Sequence, residues 1–297
     1  MPVQVHLLDA TYELFRAHFA PGRPDLFDPQ GRAVKATVGV LESVLYLFRE
    51  DGVTHLGAAS DHIIESWRNS KWPGYKTGYG VDPALKAQFA LAEEALRAIG
   101  VAVWPMVEWE ADDALGTAAV RWADDPEVER VVVLTPDKDM AQLVREDGRV
   151  VQYDRRKREF MNADAVRTKF GVSPASIPDW LALVGDSADG YPGIPGWGKL
   201  SAATVLSRYP HLEDIPETVS RWDVSVRGAP NLAASLRDHR EDAFLFRELA
   251  QLVTDVPLPE TLDDLRWRGA PRAEFTAMAQ RLGQPGLVGR VHRWASA

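Results

Sequence analysis

Short apolar runs alternate, along the first half of the chain, with stretches in which apolar residues recur every three or four positions. The short runs predict strands at residues 3–8, 54–59 and 101–104 and just before Asp137. The periodic stretches predict amphipathic helices, such as those at 37–49 and 83–99. Strands that alternate with helices are typical of a parallel sheet with helices on its faces, so this half predicts an α/β fold.

Helical periodicity dominates from residue 162 onward. Helices are predicted at residues 163–170, 177–184 and 199–208, and shorter ones follow as far as residue 282. Between the second and third of these helices, Gly193, Gly196 and Gly198 predict a tight hairpin. The chain is therefore expected to contain an α/β part and a helical part.

Carboxylates gather where the predicted strands end. Asp9, Asp61 and Asp137 each follow a strand. The carboxyl ends of parallel strands share one edge of a sheet, and ligands bind at that edge in open α/β folds. Clustered carboxylates repel one another unless a cation neutralises them, so the economical interpretation is a divalent-metal site. The full candidate set is Asp9, Asp61, Glu110, Asp112, Asp113, Asp137, Asp139, Asp186 and Asp189.

Composition narrows the class of protein. The 297 residues include no cysteine, which excludes disulfides, thiolate metal sites and a cysteine nucleophile. No apolar run reaches membrane-spanning length and the first residues lead straight into a strand, so we expect a cytoplasmic protein with no signal peptide and no membrane partner. The net charge of −9 argues mildly against a nucleic-acid partner, although metal-ligating carboxylates contribute to it and bound cations would cancel part of it.

The polar segment between Asp61 and Pro83 mixes basic and aromatic residues. Arg68, Lys71 and Lys76 are interleaved there with tryptophans and tyrosines. Such a mixture suits contact with phosphates and stacked bases, and a solvated surface loop is the alternative.

The glycine hairpin before residue 199 is a second candidate phosphate contact. Glycines let backbone N–H groups approach phosphates closely, and the N-terminus of the following helix favours an anion. A plain connection between two helices is the alternative. Asp9 lacks the D-x-D nucleophile loop of haloacid-dehalogenase-type phosphatases, and the sequence contains no calcium loop, Walker motif or Rossmann glycine fingerprint. We therefore expect no nucleotide cofactor.

Nearly the whole chain resembles the 5′-nuclease domain of bacterial DNA polymerase I and the stand-alone, flap-endonuclease-like 5′–3′ exonucleases. The motifs that carry the resemblance are L-L-D-A at residues 7–10, S-D at 60–61, R-x(6)-Y-K at 68–76, E-A-D-D at 110–113, T-P-D-K-D-M at 135–140 and G-D-S-A-D-G-Y-P-G-I-P-G-W-G at 185–198. E-A-D-D, D-K-D and G-D-x-x-D in this order are a strong signal of that family.

The resemblance implies a fold with two domains. Residues 1–161 would form a PIN-like (resolvase-like) parallel sheet flanked by helices, with a helical arch at about residues 62–82. Residues 162–297 would form a helical domain that contains a helix–two-turn–helix DNA-binding module at about residues 174–208.

The resemblance also implies a role for each candidate residue. Asp9, Asp61, Glu110, Asp112 and Asp113 would surround one metal ion, and Asp137, Asp139, Asp186 and Asp189 a second. Oxygen-only ligands suit Mg²⁺ or Mn²⁺. Lys76 and Arg68 would be the catalytic cations that stabilise the reacting phosphate. DNA contacts would come from Arg16, Lys71, Gly193, Gly196, Gly198, Lys199 and Ser201, with a K⁺ ion at the helix–two-turn–helix.

Three positions depart from the family pattern. Tyr79 stands where a second arch arginine is usual, Gly190 stands where asparagine is usual, and Lys199 comes one position early. These changes affect the expected grip on DNA and the hairpin's phosphate and potassium binding, while every acidic position is kept.

The expected function is that of a metal-dependent 5′–3′ exodeoxyribonuclease and structure-specific 5′-flap endonuclease that hydrolyses DNA phosphodiester bonds by a two-metal mechanism. Its partners would be DNA with a 5′ end or 5′ flap and a separate DNA polymerase. A non-catalytic, structure-specific DNA-binding protein is one alternative, and a PIN-like ribonuclease is another. The retained carboxylates argue against the first, because a negative patch facing phosphates gives a binding protein no advantage.

Overall fold

The computed structural model describes residues 2–296 of the chain. In chain order its strands and α-helices are β1 (Val3–Asp9), α1 (Ala10–His18), α2 (Lys35–Arg49), β2 (His55–Asp61), α3 (Arg68–Lys71), α4 (Pro83–Lys86), α5 (Phe89–Ala98), β3 (Ala102–Met106), α6 (Ala111–Ala123), β4 (Val128–Leu134), β5 (Val150–Asp154), β6 (Glu159–Met161), α7 (Ala163–Phe170), α8 (Ile177–Val184), α9 (Lys199–Leu206), α10 (Ala229–Asp238), α11 (Arg240–Ala250) and α12 (Arg272–Arg281). No helix within the described residues has the length and apolar character that spanning a bilayer requires.

The chain forms two compact units that are interleaved in sequence. The first contains the chain up to Ile64, residues Gly78–Thr135 and the chain from Thr254 onward, and the second contains Glu65–Thr77 and Pro136–Val253. The boundary expected after residue 161 does not coincide with a boundary between these units, since the residues on both sides of it belong to the second unit. The division into two sequence domains stays a prediction.

Four parallel strands form the sheet of the first unit, in the order β3–β2–β1–β4. Their aliphatic residues are buried on both faces, as in Val5, Leu7 and Leu8 of β1, which is typical of a parallel sheet covered on both sides. Helix α6 packs against all four strands, and α5 packs against β2 and β3. The predicted strands are confirmed, and β2 continues to Asp61 itself.

The single helix expected at residues 83–99 is instead two helices, α4 and α5. Gln88 lies at the break, fully buried, and its side-chain amide donates to the Ala84 carbonyl oxygen at 2.8 Å. Its side-chain oxygen accepts from the Thr37 backbone N–H at 3.1 Å. A buried side-chain amide needs such hydrogen-bond partners. The spacing of apolar residues, on which the prediction of one helix depended, does not reveal this requirement.

Helices α7–α11 and the antiparallel hairpin β5–β6 build the second unit around a core of its own. Leu181 and Leu183 of α8 are fully buried there, together with Phe246 of α11. Helix α7 begins where predicted, because the Asn162 side chain caps it by accepting from the Ala165 N–H at 2.9 Å. Helix α9 ends at Leu206, slightly earlier than expected.

The segment expected to be a helical arch, residues 62–82, contains only one short helix in this structure, the four-residue α3. Turns and bends make up most of the rest. Pro73 and the glycines at 74, 78 and 80 account for this, since proline removes an N–H donor and glycine is a poor helix former.

Candidate metal centre

Asp9 ends β1 and is fixed by two hydrogen bonds within the first unit. One carboxylate oxygen accepts from the Tyr12 backbone N–H at 2.8 Å and so caps α1. The other accepts from the Thr135 hydroxyl at 2.9 Å, just beyond the end of β4. The carboxylate therefore lies at the carboxyl edge of the sheet, as the sequence predicts.

Asp61, at the end of the neighbouring strand β2, reaches the beginning of helix α6. Its carboxylate accepts from the Ala111 N–H at 2.7 Å. Glu110 is the N-cap of the same helix and forms a capping box with Asp113. The helix dipole favours these negative charges. Asp61, Glu110 and Asp113 are buried and Asp112 is half-buried, so the first unit carries a row of carboxylates along one edge of its sheet.

Three carboxylates of the second unit converge more closely. Asp139, Asp186 and Asp189 each offer an oxygen within 4.8 Å of those of the other two. Asp139 begins a 3₁₀ turn, and the other two lie in the loop after α8. Backbone hydrogen bonds between Asp186 and Tyr191 close that loop at 2.9 and 3.1 Å, which holds both aspartates in place.

Asp137 does not directly follow a strand, in contrast to the prediction, and Asp139 does not do so either. Strand β4 ends at Leu134, and the two aspartates follow in the turn beyond it. Asp137 is exposed, and its carboxylate accepts from the Asp139 N–H at 3.0 Å. It thus supports the backbone of Asp139 and lies outside the close set of three.

The close carboxylates are electrostatically strained. Burial, and then the charges of Asp137 and Asp189, raise the pKa of Asp139 well above its usual value. Lys138 lies against this cluster, with its ammonium paired to Asp186 and 3.8 Å from Asp139. Burial would lower the pKa of Lys138, but these carboxylates outweigh it and the pKa is raised.

The donor set fits a hard divalent cation. Asp186 Oδ2 and Asp139 Oδ1 are buried, and within the described residues the Lys138 ammonium pairs with the first and lies 3.8 Å from the second, while the Tyr191 hydroxyl is buried with no hydrogen-bond partner. Buried polar atoms normally have partners, and carboxylate oxygens are the ligands that Mg²⁺ and Mn²⁺ prefer.

Lys76 lies beside the same cluster. Its ammonium is 3.4 Å from a carboxylate oxygen of Asp189, and its backbone N–H donates to the Asp189 carbonyl oxygen at 2.9 Å. Trp72 also holds the segment that carries Lys76 against the loop after α8, since its indole N–H donates to the Gly190 carbonyl oxygen at 3.0 Å. The structure thus brings the candidate catalytic lysine to the carboxylates.

Arg68 does not occupy the position expected of a phosphate-binding cation. It is only 2% exposed, and its guanidinium donates to the carbonyl oxygens of Leu249 at 2.8 Å and Gln251 at 3.1 Å. These carbonyls lie at the C-terminal end of α11, where helix carbonyls lack intrahelical partners. Arg68 therefore anchors the segment that carries Lys76, and the sequence could not reveal this because exposed and buried arginines look alike in it.

Replacing Arg68 with methionine is expected to lower the free energy of unfolding by about 3 kcal/mol, because carbonyl hydrogen bonds to a charged donor are lost. Urea denaturation measures the change. Arg237→Met is the matched control, since Arg237 is exposed and pairs only weakly with its neighbour Asp238. Unchanged stability together with a reduced cleavage rate would instead support the phosphate-binding role predicted from sequence.

The predicted DNA-contact residues differ in their surroundings. Lys199, Gly196 and Gly198 are exposed, and the Ser201 hydroxyl accepts from the Gly198 N–H at 2.9 Å, which caps α9. Lys71 pairs with Glu248 at 2.9 Å. In the first unit Arg16 pairs with Glu13 and reaches the Ser43 hydroxyl at 3.2 Å.

Gly193, which was expected to contact DNA, is instead buried and allows two segments of the backbone to approach closely. It has a φ of 73°, and an added Cβ would lie 2.7 Å from the Leu183 carbonyl oxygen. Only glycine fits this close approach between the end of α8 and the hairpin.

Gly193→Ala is expected to destabilise the protein by about 3 kcal/mol or more, from left-handed backbone strain plus steric overlap. Gly196→Ala is the control, since it shares a positive φ of 84° but has no atom closer than 4.0 Å to the added Cβ. It should cost about 1–2 kcal/mol. Equal losses in urea denaturation would contradict the role assigned to the close approach at Gly193.

Sequence patterns missed two residues of the cluster. Lys138 was visible only as the middle of D-K-D, and Tyr191 only as a hairpin residue. Burial and then the charges of Asp139 and Asp189 raise the pKa of Tyr191 far above its usual value. An unusual lysine between two candidate ligands was the one available signal.

Two family profiles cover most of the chain. The profile described as 5′–3′ exonuclease, N-terminal resolvase-like domain matches residues 4–171. The chain belongs to the 5′–3′ exonuclease family. The profile of the family's C-terminal SAM fold matches residues 172–273. The predicted membership, the resolvase-like sheet and the helical C-terminal part are thereby confirmed, as is the assignment to hydrolases that act on nucleic acid.

Relatives and solved structures agree with this family. DNA polymerase I of Mycobacterium leprae is 36% identical over 263 residues, which cover 88% of this chain and 28% of that protein. DNA polymerase I of Bacillus caldotenax is 31% identical over 289 residues, covering 95% of this chain and 32% of the polymerase. The chain thus spans about a third or less of the curated relatives that it matches.

A flap endonuclease of bacteriophage T5, solved in a complex with DNA and metal ions, has the same fold. It is 16% identical with a TM-score of 0.67, and the match covers 95% of this chain and all of that one. The catalytic core of Rad2 with a DNA substrate matches at 13% identity and a TM-score of 0.60, over 96% of this chain and 89% of the other.

Proposed function

We propose that this member of the 5′–3′ exonuclease family hydrolyses phosphodiester bonds near the 5′ end of DNA, with 5′ flaps and 5′-ended duplexes as its substrates. The observation that carries the proposal is the close set of Asp139, Asp186 and Asp189 with the Lys76 ammonium beside it. Three buried or half-buried carboxylates serve no packing purpose, because each costs free energy to desolvate.

These three residues would hold one divalent cation, Mg²⁺ or Mn²⁺. When bound, such an ion lowers the pKa of a water molecule and neutralises charge that develops on the phosphate. Asp137 would contribute through the turn that it supports at Asp139. The T5 enzyme was crystallised with metal ions, which is consistent with a metal requirement in this fold.

The remaining site residues would orient the substrate and balance its charge. The Lys76 ammonium is held next to Asp189 by a backbone hydrogen bond and by the anchored segment around it. A phosphate that approaches the carboxylates would meet this ammonium, which stabilises negative charge on non-bridging oxygens. No histidine or serine is needed as a base or nucleophile.

A second cation is the finer part of the proposal. The first unit carries Asp9, Asp61, Glu110, Asp112 and Asp113, buried or half-buried at the carboxyl ends of its strands and the start of α6. That edge is where open α/β sheets bind ligands. We propose that these five ligate a second divalent cation.

DNA would be gripped at the glycine hairpin and the N-terminus of α9. Gly196, Gly198 and Lys199 are exposed there, and backbone N–H groups at a helix N-terminus suit a phosphate. A K⁺ ion at this turn belongs to the same proposal. The net charge of −9 does not oppose it, because the cluster carboxylates contribute to that charge.

Cleavage of a labelled oligonucleotide panel tests the proposal. With Mg²⁺, the protein should cut 5′-flap and nicked duplex DNA, and EDTA should stop it. Binding of flap DNA in Ca²⁺ without cleavage in Mg²⁺ or Mn²⁺ would contradict the proposal and identify a non-catalytic DNA-binding protein. Preferential cleavage of a matched RNA flap would identify a ribonuclease instead.

A separate DNA polymerase is the proposed functional partner. The proposal is supported by the relatives that match this chain, which are named DNA polymerase I. The nuclease would then act on 5′ flaps that a polymerase displaces during replication or repair, in the cytoplasm.

A further inference from the structure

Lys138 is the cation closest to the carboxylate pair at the centre of the cluster. Its ammonium pairs with Asp186 and lies 3.8 Å from Asp139. Its side chain is 35% exposed, whereas those of Asp139 and Asp186 are 10% and 4% exposed. The lysine thus reaches from the surface to two buried carboxylates.

This ion pair differs from an ordinary surface salt bridge. Exposed pairs contribute little because water screens them. Asp139 Oδ1 and Asp186 Oδ2 are buried, and among residues 2–296 no donor other than the Lys138 ammonium reaches them, so this ammonium is the compensation that the geometry provides. Lys76 serves Asp189 in the same way from the other segment.

A divalent cation and this ammonium need the same oxygens. Mg²⁺ is held at about 2.1 Å by carboxylate oxygens and carries twice the charge of an ammonium. Both cations at the same pair of aspartates would repel each other strongly, because burial of the two aspartates weakens screening by water. Lysine has a flexible four-carbon stem, so its ammonium can turn outward while the backbone of the turn stays in place.

We propose that Lys138 is a built-in counter-ion, which occupies the Asp139–Asp186 pair in the metal-free protein and is displaced when a divalent cation binds. The inference rests on the proposed function in that it takes this cluster as the cation site. Lys138 is therefore a positioning residue, which sets the cation affinity and keeps the two carboxylates compatible with the folded state when no metal is present.

Titration of the 297-residue chain with Mn²⁺ by isothermal calorimetry, without DNA, tests the proposal. Lys138→Met keeps the length of the stem and removes the charge, so it should bind Mn²⁺ at least about tenfold more tightly than wild type. Lys157→Met is the matched control, since Lys157 is exposed and its ammonium lies 3.9 Å from Asp154 in the β5–β6 turn, and it should bind as wild type does.

Thermal unfolding supplies a second readout. In EDTA the Lys138→Met protein should melt at a lower temperature than wild type, because its buried carboxylates lose their counter-ion. Saturating Mn²⁺ should raise its melting temperature more than that of wild type. Both shifts are independent of cleavage.

The outcomes separate the two proposals. Mn²⁺ binding by wild type with equal or weaker binding by Lys138→Met overturns the counter-ion role and leaves the metal site intact. Binding by neither protein overturns the metal site itself, and the counter-ion role with it. Binding by Lys138→Met alone or more tightly supports the displacement.

Discussion

Asp139→Asn is expected to reduce cleavage of a 5′-flap substrate by at least about a hundred-fold while the protein remains folded. The substitution keeps the shape of the side chain and removes the charge that would hold a divalent cation. Asp139 is 7% exposed and belongs to the close set with Asp186 and Asp189, so no exposed carboxylate can easily replace it.

The stability of this variant should move in the opposite direction from its activity. Burial and neighbouring carboxylates raise the pKa of Asp139, so the charged form is unfavourable in the metal-free folded state. Neutral asparagine removes that cost, and the melting temperature in EDTA should equal or exceed that of wild type. In Mn²⁺ the variant should gain less stability than wild type.

Asp164→Asn is the control for this pair of measurements. Asp164 lies in the first turn of α7, is almost fully exposed and pairs only with Arg167 at the surface. Its cleavage rate should equal that of wild type. Normal cleavage by Asp139→Asn would show that the carboxylate cluster of the second unit is not required for catalysis.

Lys76→Met should lower the single-turnover cleavage rate by about a hundred-fold and leave flap binding much less affected. The ammonium would act mainly on charge that develops in the transition state, and an interaction of that kind changes the rate more than the affinity. Its backbone hydrogen bond to Asp189 does not depend on the side chain, so the segment should keep its place.

Lys157→Met removes an exposed ammonium from the same unit and controls for the loss of positive charge. A rate loss of equal size in both variants would indicate general electrostatic attraction of DNA. A large loss of binding with an unchanged single-turnover rate would show that Lys76 contacts DNA away from the reacting phosphate.

The sheet and the edge that carries the first carboxylates could be predicted from the sequence because they depend on local pattern. Buried parallel strands read as apolar runs, and Asp9 and Asp61 each end such a run. The structure adds that Glu110 and Asp113 form a capping box at the start of α6, which fixes both carboxylates at that edge.

The organisation of the second unit could not be predicted in this way because it depends on contacts between distant residues. Nothing near Arg68 in the sequence indicates that its guanidinium is taken up by Leu249 and Gln251. The ammonium of Lys138 is adjacent to a candidate ligand in sequence, yet its approach to Asp186 depends on the fold of the loop after α8. Motif resemblance supplied the candidate residues, and the three-dimensional contacts show how their surroundings differ.

The central claim is that Asp139, Asp186 and Asp189 hold a divalent cation. The most direct test is a crystal of the full chain soaked in Mn²⁺, with anomalous diffraction recorded at the manganese edge. We expect an anomalous peak at about 2.1 Å from carboxylate oxygens of these three residues, with the Lys138 ammonium moved away from Asp186. A protein that cleaves flap DNA in Mn²⁺ but shows no peak there, with Lys138 still paired to Asp186, would contradict it.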